Sequence, residues 1–149
     1  MSELRDLYEE VILDHNRSPR NYPKRPEGCN HSAAGHNPLC GDEVEIHLTV
    51  NDGLIVDVGF EGEGCAISTA SASMLTEALK GKSEAQARSL FKDVHAMLTD
   101  TEDNAQEASL GKLAVLGGVK DYPMRVKCAS LAWHTMIAAL DNESSATTE

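Results

Sequence analysis

The chain is short of positive charge. Against 24 aspartates and glutamates it carries only 13 lysines and arginines, a formal net charge of −11 over 149 residues. A surface that acidic repels phosphate backbones and anionic headgroups, which argues against nucleic acid or an anionic membrane as partner. Long apolar runs are missing too: none approaches the roughly 20 residues a membrane-spanning helix needs. The opening residues, Met1-Ser2-Glu3-Leu4-Arg5-Asp6, are acidic and lack an apolar core, so no secretory signal is expected and the cytoplasm is the expected compartment. Cysteines number only four. In a reducing compartment they point to metal binding or catalysis before disulfides. No internal repeat and no sign of a second domain is present, and the length suffices for one core.

The basic charge that is present falls unevenly. Arg17, Arg20, Lys24 and Arg25 crowd one proline-punctuated loop, while Lys120, Arg125 and Lys127 gather near the last cysteine. Each group reads either as solvated loop charge or as a docking surface for an acidic partner.

Hydrophobic spacing predicts the elements. Leu4, Leu7, Tyr8, Val11 and Ile12 recur with helical period, so an amphipathic helix is expected over 3–15. Two prolines, Pro19 and Pro23, forbid its continuation. Residues 17–38 read as loop, with a short strand possible near His31 to Gly35. From Val44 the period becomes two: Val44, Ile46, Leu48 and Val50 share one face, and Glu45, His47 and Thr49 the other. Asn51-Asp52-Gly53 supplies a turn, and Val56, Val58 and Phe60 repeat the alternation, which predicts an antiparallel hairpin. Helices are expected over 68–80, then from a capping box at Ser83-Glu84-Ala85-Gln86, over 106–116, and after Pro123. Strands early and helices late imply an α+β domain over 1–141, with a small antiparallel sheet of about three strands and helices packed on one face. Residues 142–149 read as a disordered polar tail.

Three cysteines fall at element ends. Cys40 precedes the hairpin in Asn37-Pro38-Leu39-Cys40-Gly41-Asp42, Cys65 sits at a glycine-softened strand-to-helix corner in Gly62-Glu63-Gly64-Cys65-Ala66-Ile67-Ser68, and Cys128 opens the last helix. A thiol at a helix N-terminus feels the partial positive charge of unpaired amides, which favours the thiolate. If the helices lie on the sheet, the three thiols meet at one end of it, and Asp42 brings a carboxylate to the same edge. Three thiolates and a carboxylate complete a tetrahedral set for Zn²⁺ or a four-ligand seat for an iron–sulfur cluster. A rival set, Cys29, His31, His36 and Cys40, lies within twelve residues but leaves Asp42, Cys65 and Cys128 unexplained. Otherwise Cys29 reads as a loop or core thiol, His15 as packing or capping, His47 and His95 as surface, His134 as off the face of Cys128, and Trp133 as core.

Asn-Pro-x-Cys-Gly-Asp at 37–42, Gly-x-Gly-Cys-Ala-Ile-Ser at 62–68, Cys-Ala-x-Leu-Ala-Trp at 128–133 and the N-terminal Leu-Tyr-x-x-x-Ile-Leu-Asp-His helix resemble the IscU/NifU-type iron–sulfur assembly proteins over nearly the whole chain. The branch it looks most like is SufU. The segment between Cys65 and Cys128 is longer than in IscU proper, and the residue before the third cysteine, a histidine ligand in IscU, is Lys127 here. The chaperone-binding Leu-Pro-Pro-Val-Lys segment of IscU is replaced by Leu116-Gly117-Gly118-Val119-Lys120. This resemblance implies a NifU-like fold and zinc held by Cys40, Asp42, Cys65 and Cys128, with a [2Fe–2S] cluster as the alternative cofactor. It implies a sulfur acceptor that takes persulfide sulfur on Cys40 from a SufS-like cysteine desulfurase, a pyridoxal-phosphate enzyme, and passes it to downstream assembly proteins. On docking, Cys40 is expected to leave the zinc, with a desulfurase histidine taking its place. Arg125 and Lys127 would offset the site's charge or steer the partner. The alternatives are a scaffold for [2Fe–2S] assembly and a structural zinc adaptor.

Overall fold

The computed structural model describes residues 2–38, 41–99, 113, 116, 117, 119 and 122–147. In chain order the elements are α1 (Ser2–Arg17), β1 (His31–Asn37), β2 (Asp42–Asn51), β3 (Leu54–Glu63), α2 (Ala66–Leu79), α3 (Glu84–Thr99), α4 (Pro123–Leu140) and β4 (Ser145–Thr147). The helix expected over 106–116 lies outside the described residues, although Leu113, Leu116 and Val119 are buried. Among the described helices none is long and apolar enough to cross a membrane.

The hairpin is the local anchor. Asp52 and Gly53 both have positive φ, 53° and 77°, the backbone that a tight two-residue turn between twisted strands requires. β2 and β3 pair antiparallel from Glu43↔Glu63 to Asn51↔Leu54, with one register irregularity at Thr49/Val50. β1 pairs antiparallel with the other edge of β2, so the short strand expected near His31 is a full sheet member reaching Asn37.

The sheet has four strands, in the order β3-β2-β1-β4, where about three were expected. The difference is β4, formed by part of the segment read as a disordered tail. After α4, Asn142 adopts φ 60° and turns the chain back. Ala34 N–H then donates to Ser144 O at 2.9 Å, and Ser145–Thr147 runs parallel to β1. Ser-Ala-Thr carries no apolar alternation: this strand rests on backbone hydrogen bonds to a free edge, which leave no mark in side-chain patterning.

α4 lies on β1 and β2, α2 lies on β3 and α4, α1 packs on α2, and α3 on α4. Ile46, Leu48, Ile55, Leu75, Trp133 and Met136 are fully buried between sheet and helices, and each such side chain contributes about 1.5–3 kcal/mol of burial. Trp133 is core, as its pattern predicts, and its indole N–H donates to Ser71 Oγ at 3.1 Å. The capping box at α3 forms: Gln86 N–H donates to Ser83 Oγ at 3.1 Å and Ser83 N–H to Gln86 Oε1 at 2.9 Å.

Part of the sheet's second face is covered as well, by chain without regular structure. Thr49 Oγ1 donates to Glu27 O at 3.1 Å, and a Cβ on Gly59 would collide with the carbonyl of Lys24. His47 therefore is not a surface residue: it is 1% exposed. Alternation marks which face a side chain takes, but not whether a loop lies over that face. His95 is half-buried too, stacked on Phe91 and edge-on to His134.

Candidate metal centre

At the end of the sheet where β1 returns as β2, Asn37 pairs with Asp42. Gly41, with φ 71°, closes the turn by donating its N–H to Asn37 O at 2.9 Å. A left-handed residue inside such a turn favours glycine. Cys40 belongs to this turn and itself lies outside the described residues. Asp42 is fully buried on the helix-facing side of β2.

Next to the last residue of β3 stands Gly62, at φ 123°, where a Cβ would run into the carbonyl of Glu43. The chain can hug β2 there only as glycine. Three residues after Gly62, Cys65 is the N-cap of α2, and its Sγ accepts the Ser68 N–H at 3.4 Å. Gly64 is pressed between two elements: a Cβ there would lie 2.9 Å from Asp42 Oδ1 and 3.0 Å from Ser68 Oγ. Cys128, in the second turn of α4, is fully buried.

The three side chains converge. The sulfurs of Cys65 and Cys128 and a carboxylate oxygen of Asp42 all lie within 4.8 Å of one another. Asp42 Oδ1 accepts the Cys65 backbone N–H at 2.8 Å. Asn37 Nδ2 approaches both Asp42 Oδ2, at 3.3 Å, and Cys128 Sγ, at 3.6 Å. Asn37 is the residue that sequence reasoning missed. Its only signal was membership of the Asn-Pro-x-Cys-Gly-Asp motif. Two thiols and a carboxylate at this spacing match the donor chemistry of Zn²⁺, with one position left for a ligand from the adjoining turn. Sulfur donors also suit an iron–sulfur cluster.

Arg125 stands at the mouth of this group, one turn before Cys128 and exposed. Negative charge on Cys65, foremost, holds its guanidinium protonated beyond the ordinary arginine range; slight desolvation opposes this and charge on Cys128 adds to it. Lys127 is half-buried beside Cys128, and no ion pair holds its ammonium among the described residues. Two exposed apolar side chains, Tyr122 and Met124, flank Arg125.

The other basic group is partly occupied within the chain. Arg20 pairs with Asp14 at 2.6 Å, and Lys24 with Asp57 at 2.8 Å. The rival set around Cys29 does not gather among the described residues. Cys29 Sγ meets Ser32 Oγ at 3.2 Å, and His31 Nδ1 bonds the Ala139 carbonyl at 2.9 Å. His15 is buried, its Nδ1 2.7 Å from Ser73 Oγ, a packing role. His134 turns toward Phe91 and His95, away from Cys128.

Comparison with known proteins bears on the fold and the family. Residues 7–129 match the model of the NifU-like N terminal domain. The zinc-dependent sulfurtransferase SufU of Bacillus subtilis (strain 168) is 38% identical over 135 residues, 91% of this chain and 90% of that one. The iron-sulfur cluster assembly scaffold protein IscU of Streptococcus pyogenes serotype M1 is 34% identical over 146 residues, 98% of this chain and 90% of that one. Among solved structures, the SUF-system protein FiSufU of Fervidobacterium islandicum AW-1 superposes with a TM-score of 0.82 at 37% identity, covering 90% of this chain and 96% of that one. The single α+β domain with its mixed sheet is the fold of these relatives, and the chain belongs to the IscU/SufU-type family of NifU-like N-terminal domains.

Proposed function

We propose that this chain is a zinc-bound sulfur acceptor in iron–sulfur cluster assembly, taking sulfur on Cys40 from the persulfide of a cysteine desulfurase. The observation that carries the reading is the donor set: Asp42, Cys65 and Cys128 together, with no imidazole among them and Lys127 beside Cys128. Asp42, Cys65 and Cys128 would hold Zn²⁺, with Cys40 as the fourth ligand. When bound, zinc keeps thiols as thiolates at neutral pH and adds no redox chemistry of its own.

The remaining work falls to the chain. The Cys40 thiolate attacks the terminal sulfur of the donor persulfide, R–S–SH. A new S–S bond forms to Cys40, the donor's S–S bond breaks, and the donor leaves as R–S⁻, so Cys40 ends as Cys40–S–SH with no net oxidation. Asn37 and Gly41 close the turn that carries Cys40, and the Asp42 carboxylate pins the α2 cap. Arg125, with Tyr122 and Met124 beside it, offers a cationic and apolar landing edge for the desulfurase. Similarity to the named zinc-dependent sulfurtransferase supports this reading.

The test is sulfide release by a purified cysteine desulfurase with and without this chain, together with the zinc content of the chain. About one zinc per chain, and strong stimulation that Cys40→Ala abolishes, is the expected result. Normal sulfur acceptance by Cys40→Ser would overturn it. A second reading, a scaffold for a [2Fe–2S] cluster, is favoured by relatives of comparable identity named as scaffolds. Stable uptake of iron and sulfide with little stimulation of the desulfurase would establish that one instead.

A further inference from the structure

On the sheet face opposite α2 and α4 lies a second group of ligand atoms. Glu45 and Glu61 are directly paired across β2 and β3, and His47 sits two residues along on the same face. A carboxylate oxygen of each glutamate and a ring nitrogen of His47 lie within 4.8 Å of one another. Like charges directly opposite each other in a sheet are unfavourable. Among the described residues neither glutamate pairs with a lysine or arginine: the nearby Lys24 is bound to Asp57, and Glu61 meets only His47 Nε2, at 2.9 Å.

The imidazole is built in, whereas the carboxylates remain accessible. His47 is 1% exposed against 41% for the Glu61 side chain. Its other nitrogen, Nδ1, is 2.8 Å from Ser32 Oγ, the residue opposite it on β1. That contact aims Nε2 at the two carboxylates. A metal-ligating histidine is held in this way, one ring nitrogen oriented by a neighbour while the other faces the ion.

We propose that Glu45, His47 and Glu61 form a second cation site, distinct from the thiolate centre, that takes a divalent first-row metal ion. One imidazole and two carboxylates are borderline-to-hard donors suited to Mn²⁺ or Fe²⁺, in contrast to the sulfur-rich set across the sheet. On binding, the ion occupies the position between Nε2 and the carboxylates. The ring proton then stays on Nδ1 and is donated to Ser32 Oγ. Three protein ligands leave the rest of the coordination shell to water, so the ion exchanges readily. The glutamates reach solvent, so it enters without disturbing the core.

Mn²⁺ is the probe. The full chain, with its zinc content measured before and after, is titrated with Mn²⁺. Uptake is followed by the loss of the free-ion electron paramagnetic resonance signal, and location by paramagnetic broadening of amide resonances. The expected result is one Mn²⁺ per chain, with broadening centred on residues 45–47 and 59–61. Zinc content should stay unchanged. The Glu45→Gln/Glu61→Gln double variant, altered only at solvent-reaching side chains, should lose the uptake. Ser32→Ala should weaken it roughly 10- to 100-fold through the freed imidazole. Equal uptake by wild type and double variant, or broadening spread over the acidic surface, would overturn the site. Because the readout is Mn²⁺ uptake, it stands or falls separately from the sulfur-acceptor reading.

Discussion

Asp42 Oδ1 accepts the backbone N–H of Cys65 at 2.8 Å, so a single buried carboxylate joins the first residue of β2 to the cap of α2. The same side chain is also a proposed ligand, which gives it two separable roles. Asp42→Ala leaves the Cys65 N–H without its acceptor, and unfolding of the metal-free chain in urea should show a loss of about 1–3 kcal/mol. The zinc content of the variant, measured separately, should fall as well. An unchanged urea midpoint with unchanged zinc would contradict both roles.

Gly64 tests how closely that corner must pack. A methyl group there would sit 2.9 Å from Asp42 Oδ1 and 3.0 Å from Ser68 Oγ. Gly64→Ala should displace the carboxylate from the two sulfurs and weaken zinc retention roughly tenfold or more, as loss of a supporting contact does. The measurement is competition for zinc with a chromophoric chelator.

Gly35 tests the seat of α4. A Cβ at this position in β1 would collide with Thr135 Oγ1 and press on Leu131 at 3.1 Å. Both neighbours are buried in the helix that carries Cys128. Gly35→Ala should therefore destabilise the fold by about 1–3 kcal/mol, the range for overpacking a core. A thermal midpoint equal to wild type would mean that α4 shifts freely on the sheet.

Acid should weaken the contact between α3 and α4. Burial, and then the charge of neighbouring His95, hold the His134 imidazole below its ordinary value. The unfolded chain therefore takes up this proton at higher pH than the folded one. The associated stability is complete above about pH 6.5, the ordinary histidine value, and declines as the pH falls from there toward the lower folded value. His134→Gln should flatten this part of the stability profile between pH 7 and 5. A profile as steep as wild type would assign the acid sensitivity to other groups.

Much of this architecture was written in local patterns. Alternating Val44, Ile46, Leu48 and Val50, a two-residue turn with glycine, and a Ser-x-x-Gln box each act through neighbours a few positions away, so periodicity and turn chemistry alone determined the hairpin and the start of α3. The convergence of Asp42, Cys65 and Cys128 was legible only as a possibility, because each sits at an element end. Their distances depend on how α2 and α4 lie on the sheet, and that is set by long-range packing of Trp133, Met136 and Leu75. Three features were invisible until the chain was folded. Strand β4 rests on backbone pairing to a free edge; His47 is buried because residues 24–28 cross over it; Asn37 touches both Asp42 and Cys128 because α4 brings a residue from 91 positions away. Patterning assigns a residue to a face, whereas what covers that face is decided by tertiary structure.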